Sequence, residues 1–196
     1  TAADDQIVAG LTTHPLRRLD LSMSQITNAS LPMLLQIPTL ESLNVSFCRI
    51  TGAGFKGYGK SDIKELNVGA TQFGIDGFVA IRGMKSLEDL NVYQTGLVQH
   101  TSANVFRTFP KLRFLNAGKN AIADPGMVQF FKGHKTLEVL QVHHNIGITD
   151  NGLAALIGVK TLRELDLNGT SCGAAGGQRL KQNLPECTIR TSNGVY

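Results

Sequence analysis

The sequence predicts a right-handed α/β solenoid, with parallel strands on the concave face and helices on the convex face. Two observations carry that prediction: a repeat, and a change of hydrophobic spacing inside each repeat. The string Leu16-x-x-Leu19-x-Leu21 recurs as Leu40-x-x-Leu43-x-Val45, Ile63-x-x-Leu66-x-Val68, Leu87-x-x-Leu90-x-Val92, Leu112-x-x-Leu115-x-Ala117, Leu137-x-x-Leu140-x-Val142 and Leu162-x-x-Leu165-x-Leu167. Successive starts lie 24, 23, 24, 25, 25 and 25 residues apart, and self-similarity at such a period marks a stacked-repeat architecture. Within a repeat, alternation such as Leu165-Asp166-Leu167 gives way to helical spacing such as Leu153, Leu156 and Ile157, a short strand followed by a helix. One such unit cannot bury its own core, whereas stacked neighbours can.

Along the chain, Ala2-Ala3-Asp4-Asp5-Gln6-Ile7 aligns with Ile148-Thr149-Asp150-Asn151-Gly152-Leu153, and Leu11 with Ile157. Residues 1–15 are therefore expected to be the helical half of a preceding repeat or an N-terminal cap, and the chain a piece of something longer. Residues 16–183 hold the seven units. Three positions after the third apolar residue stands Ser24, Cys48, Thr71, Thr95, Asn120, Asn145 or Thr170, small or polar side chains that can turn inward and bond the backbone where the chain leaves the strand. An apolar residue follows two positions later in the first five units (Ile26, Ile50, Phe73, Leu97, Ile122); the sixth has one extra residue and regains register at Ile148, and the seventh has Cys172. Ser30, Gly54, Gly77, Thr101, Gly126, Gly152 and Gly176 then open the helical segments. At the far end Leu184-Pro185-Glu186-Cys187 repeats Ile37-Pro38-Thr39-Leu40, but Arg190 falls where the second core leucine is due. Residues 184–196 read as a C-terminal cap and tail, frayed from Thr191 to Tyr196.

These residues resemble the leucine-rich-repeat family, whose pattern is L-x-x-L-x-L-x-x-[N/C]-x-L. They are most similar to its 23–25-residue bacterial form, L-x-x-L-x-L-x-x-T-x-I-T-D-x-G-L, of which Ile148-Thr149-Asp150-Asn151-Gly152-Leu153 is the clearest copy. The resemblance covers nearly the whole chain. It implies a curved leucine-rich-repeat solenoid, commonly a protein- or peptide-binding module, without naming a partner. The alternative is a structural or anchoring segment of a larger protein with no ligand of its own.

Composition fits a packed domain: of 196 residues, 42% are hydrophobic and 17% charged, too few charges for a disordered chain. No apolar run approaches the ~20 residues of a membrane span. Three scattered cysteines, Cys48, Cys172 and Cys187, suit neither a disulfide framework nor a C-x-x-C site, and leave the compartment open.

Catalytic signatures resolve into repeat features. Gly169-Thr170-Ser171-Cys172-Gly173 spells the hydrolase elbow, yet no histidine follows His144, so the usual Ser, Asp/Glu, His order cannot be completed. Gly173-Ala174-Ala175-Gly176-Gly177 lacks the Gly-Lys-Ser/Thr ending of a phosphate loop. Adjacent His143 and His144 would point to opposite faces of a strand and cannot chelate one ion unaided. No enzyme activity, catalytic residue, metal site or cofactor is therefore assigned. Asn28-Ala29-Ser30, Asn44-Val45-Ser46 and Asn168-Gly169-Thr170 match the glycosylation pattern, as composition alone would supply.

Three rows of side chains describe the surface. After the first leucine, Arg17, Glu41, Lys64, Glu88, Arg113, Glu138 and Arg163 alternate in sign without a break. On neighbouring strands they pair, and they deny this edge the clustered basic track that nucleic acid needs. Between the second and third core positions stand Asp20, Asn44, Asn67, Asn91, Asn116, Gln141 and Asp166, expected to form a ladder hydrogen-bonded from strand to strand. Lys85, Lys111, Lys135 and Lys160 lie near helix ends, where cations suit the helix dipole. The chain is read as a monomer whose partner is a protein or peptide.

The binding residues come from breaks in two further rows. Small or polar residues after the third core position give way to Tyr93 and His143, and charges or serine before the second core leucine give way to Phe114 and Val139. Aromatic side chains on a solvated sheet face are what interface hot spots are made of. The expected centre is thus Tyr93, Phe114, Val139 and His143, with Glu88, Asp89 and Arg113 at its rim.

Overall fold

Short strands recur once per repeat and stack in sequence order into one open sheet. The computed structural model describes residues 4–59, 61–97 and 105–196. Strands β1 (Arg18–Asp20), β2 (Ser42–Asn44), β3 (Glu65–Asn67), β4 (Asp89–Asn91), β5 (Phe114–Asn116), β6 (Val139–Gln141), β7 (Glu164–Leu167) and β8 (Thr188–Thr191) run parallel, and β9 (Gly194–Val195) pairs antiparallel with β8. Helices α1 (Asp5–Leu11), α2 (Leu31–Leu34), α3 (Gly74–Ile81), α4 (Asp124–Phe131) and α5 (Ala174–Asn183) return on the other side. Three units replace the α-helix with a 3-10 turn, at Gly52–Phe55, Val105–Thr108 and Gly152–Leu156. Ala2, Ala3 and Thr101, used in the sequence alignment of repeats, lie outside the described residues.

The second core leucines sit opposite one another across the whole sheet, Leu19 on Leu43, Leu66, Leu90, Leu115, Leu140, Leu165 and finally Ile189. Leu90, Leu115, Leu140 and Leu165 are fully buried. Behind them Phe55, Phe73, Phe78, Phe106 and Phe130 form a buried chain of edge-to-face rings, with successive centroids 5.2–5.5 Å apart. That geometry suits the aromatic quadrupole, and it carries the core through the units whose helices are short.

The inward polar slot behaves as expected. Asn145 donates to the Ala117 and Val142 carbonyls, while its Oδ1 accepts the Asn120 and Ile122 amides at 2.9 Å each. Asn120 does the same one unit earlier, donating to Val92 and accepting from Thr95 and Leu97. Thr71, Thr95 and Thr170 donate to the carbonyl three residues back. Buried backbone groups freed where the strand ends are thereby satisfied.

A second lock joins the helical halves and explains the T-D-x-G signature. Asp124 accepts the Thr149 amide and hydroxyl at 2.8 and 2.6 Å, and Asp150 accepts the Gly173 amide at 2.7 Å. Asn28 exchanges two 2.8 Å bonds with Thr51. Each acceptor lies where a Cβ on the next unit's Gly54, Gly152 or Gly176 would collide with it, so the glycine makes room for the preceding unit's side chain. At the N-terminus Asp5 takes this role, accepting from Thr27 at 2.9 and 2.7 Å and from the Ser30 hydroxyl. The sequence alignment gave that place to Asp4, which instead caps α1 through the Gln6 and Ile7 amides; the first unit is one residue out of the expected register.

Three further expectations are corrected. The solenoid does not stop for want of a leucine at Arg190: the loop is one residue tighter, Ile189 takes the second core slot fully buried, and Arg190 points out to Glu164 at 3.1 Å. Nor is the tail frayed, because Tyr196 exchanges both backbone hydrogen bonds with Ile189, at 2.9 and 3.0 Å, and closes a hairpin. The outer row of amides is not primarily a strand-to-strand ladder either. Asp20, Asn44, Asn67, Asn91, Asn116 and Asp166 each accept the backbone amide two residues on, a local turn that ends β1 to β5 and β7. The Asn44 to Asp20 bond, 3.0 Å, crosses between strands.

Candidate functional site

The concave face is built from strands of three or four residues, so its outward side chains come in short cross-strand rows. In the row before the core leucine, Glu65 faces Asp89, Asp89 faces Phe114, Phe114 faces Val139 and Val139 faces Glu164. Neighbouring strands are ~4.8 Å apart, so this is one continuous line in which two carboxylates give way to two apolar side chains. A depression of about 250 Å³ lies over β2 to β5, floored by Leu43, Leu66 and Leu90 and bordered by Glu65, Asp89 and Phe114.

The seven residues expected from sequence fall into three groups. Asp89, Phe114 and Val139 share that row. Tyr93 and His143 meet in the row at the strand exits, their rings stacked at 5.6 Å and 24°. Between their strands the fifth unit offers Gly118, where a Cβ would lie 2.6 Å from His143 Nε2. Glu88 and Arg113 belong to the alternating row at the strand entries, where Arg113 is held bidentately by Glu138 at 2.7 and 2.9 Å. Arg17–Glu41 at 2.9 Å and Lys64–Glu41 at 3.2 Å continue that pairing.

Electrostatics separate the groups further. Burial pushes the Asp89 carboxyl above its ordinary range, and Glu65 and Glu88 add to the effect while Arg113 offsets part of it. Asp89 has no side-chain hydrogen bond or ion pair among the described residues, whereas Glu65 lies 3.6 Å from Arg18. Burial lowers the His143 imidazole and His144 lowers it further, against the pull of Asp166. His143 Nδ1 is buried without a hydrogen-bond partner, 3.7 Å from Asp166 Oδ2.

Sequence reasoning missed Glu65, which shares the depression with Asp89. It also missed Met23 and Phe47, which are 73% and 56% exposed in a left-handed backbone at φ 58°. That slot, two residues after the third core position, is left-handed in all seven units, as Met23, Phe47, Ala70, Gln94, Lys119, His144 and Gly169. A bulky apolar residue where asparagine or glycine is favoured was the available signal.

The other sequence candidates are occupied by structure. The Ser171 hydroxyl donates to the Ile146 carbonyl at 2.8 Å. The amides of Asn28, Asn44 and Asn168 donate to Thr51, Asp20 and Asp166. Lys85 and Lys160 reach the Thr108 and Asn183 carbonyls near the ends of the neighbouring helical segments. Among the described residues no three His, Cys, Asp or Glu side chains converge as a metal set, and no helix is long and apolar enough to cross a membrane.

A family model described as Leucine Rich repeat matches residues 36–56. No curated protein sequence matches the chain. Among solved structures, internalin C2 of Listeria monocytogenes is similar with a TM-score of 0.61 at 17% identity, covering 95% of this chain and 83% of that one. A second Listeria monocytogenes internalin (inlF) gives a TM-score of 0.68 at 14% identity, covering 95% of this chain and 54% of that one. At these identities the likeness is one of fold.

Proposed function

We propose that this chain, a leucine-rich-repeat solenoid, binds a protein or peptide on its concave sheet. The carrying observation is the placement of Phe114 and Val139 side by side on the solvated face, next to the depression over β2 to β5. Both are half-buried on a face whose other units place serine, charge or threonine in that row. Folding has no use for them there, because the core lies on the opposite side of the same strands. The Tyr93–His143 stack adds a rigid aromatic platform one row away. Aromatic and aliphatic anchors surrounded by polar groups are the usual energetic centre of an interface.

No catalytic step is assigned, since the face presents amides already committed to backbone turns and carboxylates without a partnered nucleophile. The experiment is affinity capture with native bait and with Phe114→Ala/Tyr93→Ala bait of equal melting temperature. A binding module retains at least one protein that the substituted bait loses. A purely structural segment gives the same retained set with both.

A further inference from the structure

The concave face carries the opposite charge to the molecule. The chain has a formal net charge of +4, yet over the first four strands the outward face holds Asp20, Glu65 and Asp89 against Arg18 alone. Glu65 and Asp89 face each other across β3 and β4, and Phe114 faces Asp89 across β4 and β5. The cation nearest in sequence register, Arg113, is turned away into its bidentate pair with Glu138. This leaves the Asp89 carboxylate unpaired beside a half-buried aromatic ring, at the wall of a depression of about 250 Å³.

We propose that the site takes a basic protein segment, with a lysine or arginine seated between Glu65, Asp89 and the Phe114 ring and an apolar residue resting on Val139. This rests on the reading of the concave sheet as the binding face and adds the chemistry of the partner. The two halves of the row are two strands apart, so the basic and the apolar side chain are separated by about 10 Å. An acidic segment would meet two carboxylates and a cation, Arg18, already engaged with Glu65 at 3.6 Å, and a wholly apolar one would strand the carboxylates without water. A cation satisfies both carboxylates at once and can lie against the negative face of the ring. Repulsion from Glu65 and Glu88 helps push the Asp89 carboxyl up, so an arriving cation relieves that repulsion and competes only with the exposed 3.6 Å contact between Arg18 and Glu65.

The test is selection of phage-displayed random peptides on the immobilised chain. About twelve residues is enough, since extended they reach ~40 Å against a sheet of roughly 35 Å. Selection runs in parallel on native protein, on Glu65→Gln/Asp89→Asn and on Phe114→Ala/Val139→Ala, each first shown to keep its melting transition. The expected result is enrichment of peptides with arginine or lysine near an apolar residue. A synthetic copy should lose about tenfold or more in affinity on Glu65→Gln/Asp89→Asn. Peptides that need Phe114 and Val139 but carry no basic residue, and bind Glu65→Gln/Asp89→Asn as well as native protein, overturn this inference while leaving the binding face standing. Acidic peptides insensitive to either pair of substitutions would move the site to the row of Lys85, Lys111, Lys135 and Lys160. That result, or the retention of no peptide at all, overturns both readings.

Discussion

Tyr93 and His143 stack with ring centroids 5.6 Å apart although their strands are separated by a third, β5. Two strand spacings place their backbones ~9.6 Å apart, so the rings close the gap by leaning over Gly118. Any side chain there would occupy their space, and the glycine is as much a part of the platform as the rings.

Gly118→Ala should therefore push the His143 ring off Tyr93 and destabilise the chain by about 1 kcal/mol, a typical cost of overpacking. His143→Ala should remove most of that penalty, making the double variant less destabilised than the sum of the two. Thermal melts of the four proteins check it. Strict additivity would place the strain somewhere other than the His143 ring.

The lock between helical halves is a second target. Asp124→Ala removes both bonds to Thr149 and leaves a hole against Gly152. The expected loss is about 1–3 kcal/mol, with hydrogen exchange rising first around residues 147–156. Asp76→Ala in α3, an acidic residue outside this lock, should be near neutral. Equal melting temperatures for the two variants would contradict the lock.

The three cysteines are all free and buried. Burial raises the Cys172 thiol, and burial pushes the Cys187 thiol up to about 11 despite Lys181 and Arg163 nearby. Because the thiolate is the reactive form, a thiol reagent at pH 8 should not label Cys172 or Cys187 at an appreciable rate in native protein, and burial keeps the reagent from Cys48. All three should react on addition of denaturant, as counted by intact mass. Fast labelling of Cys187 alone would mean that the terminal hairpin opens readily.

Most of the scaffold was legible in the sequence because its cause is local and repeated. Leu19 to Leu165 mark the core in register, and Asn120 and Asn145 announce the inward polar turn. The tail was less legible because Ile189 reaches the core slot one residue early, through a tighter loop that a fixed-period pattern cannot anticipate. The role of Asp5 was displaced for the same reason at the other end. At the site, Phe114, Val139, Tyr93 and His143 stood out as exceptions to their rows. Glu65 did not, because a glutamate on a solvated strand is ordinary. Its meaning comes from facing Asp89 and from Arg113 being occupied by Glu138, which pairing geometry reveals and composition does not. The outer asparagines misled in the opposite direction, since uniformity suggested a ladder where a turn two residues long engages each one, and Asn44 also reaches across to Asp20.

Acid should weaken the fold through His134 before it reaches the carboxylates. This ring is 5% exposed. Its Nδ1 accepts the Leu137 amide at 3.2 Å, so the neutral tautomer carries its proton on Nε2, which lies 3.4 Å from the Phe106 carbonyl. Burial lowers its pKa and Arg107 lowers it further, against the Phe106 carbonyl; burial likewise lowers His143. A histidine whose folded pKa lies below its unfolded value near 6.5 binds fewer protons when folded. Its contribution is complete above pH ~6.5 and is lost as the pH falls from there through the folded pKa. Protonation also costs His134 the Leu137 bond, because a protonated Nδ1 can no longer accept. Melting temperature should therefore be flat between about pH 7 and 8 and decline between about pH 6.5 and 5, by roughly 2–4 °C for each kcal/mol lost in a chain of this size. His134→Gln retains a side-chain acceptor without the titration, and should flatten that decline while lowering the plateau by about 1 kcal/mol for imperfect packing. A variant with the same slope as the native protein across this window would assign the acid sensitivity to other groups.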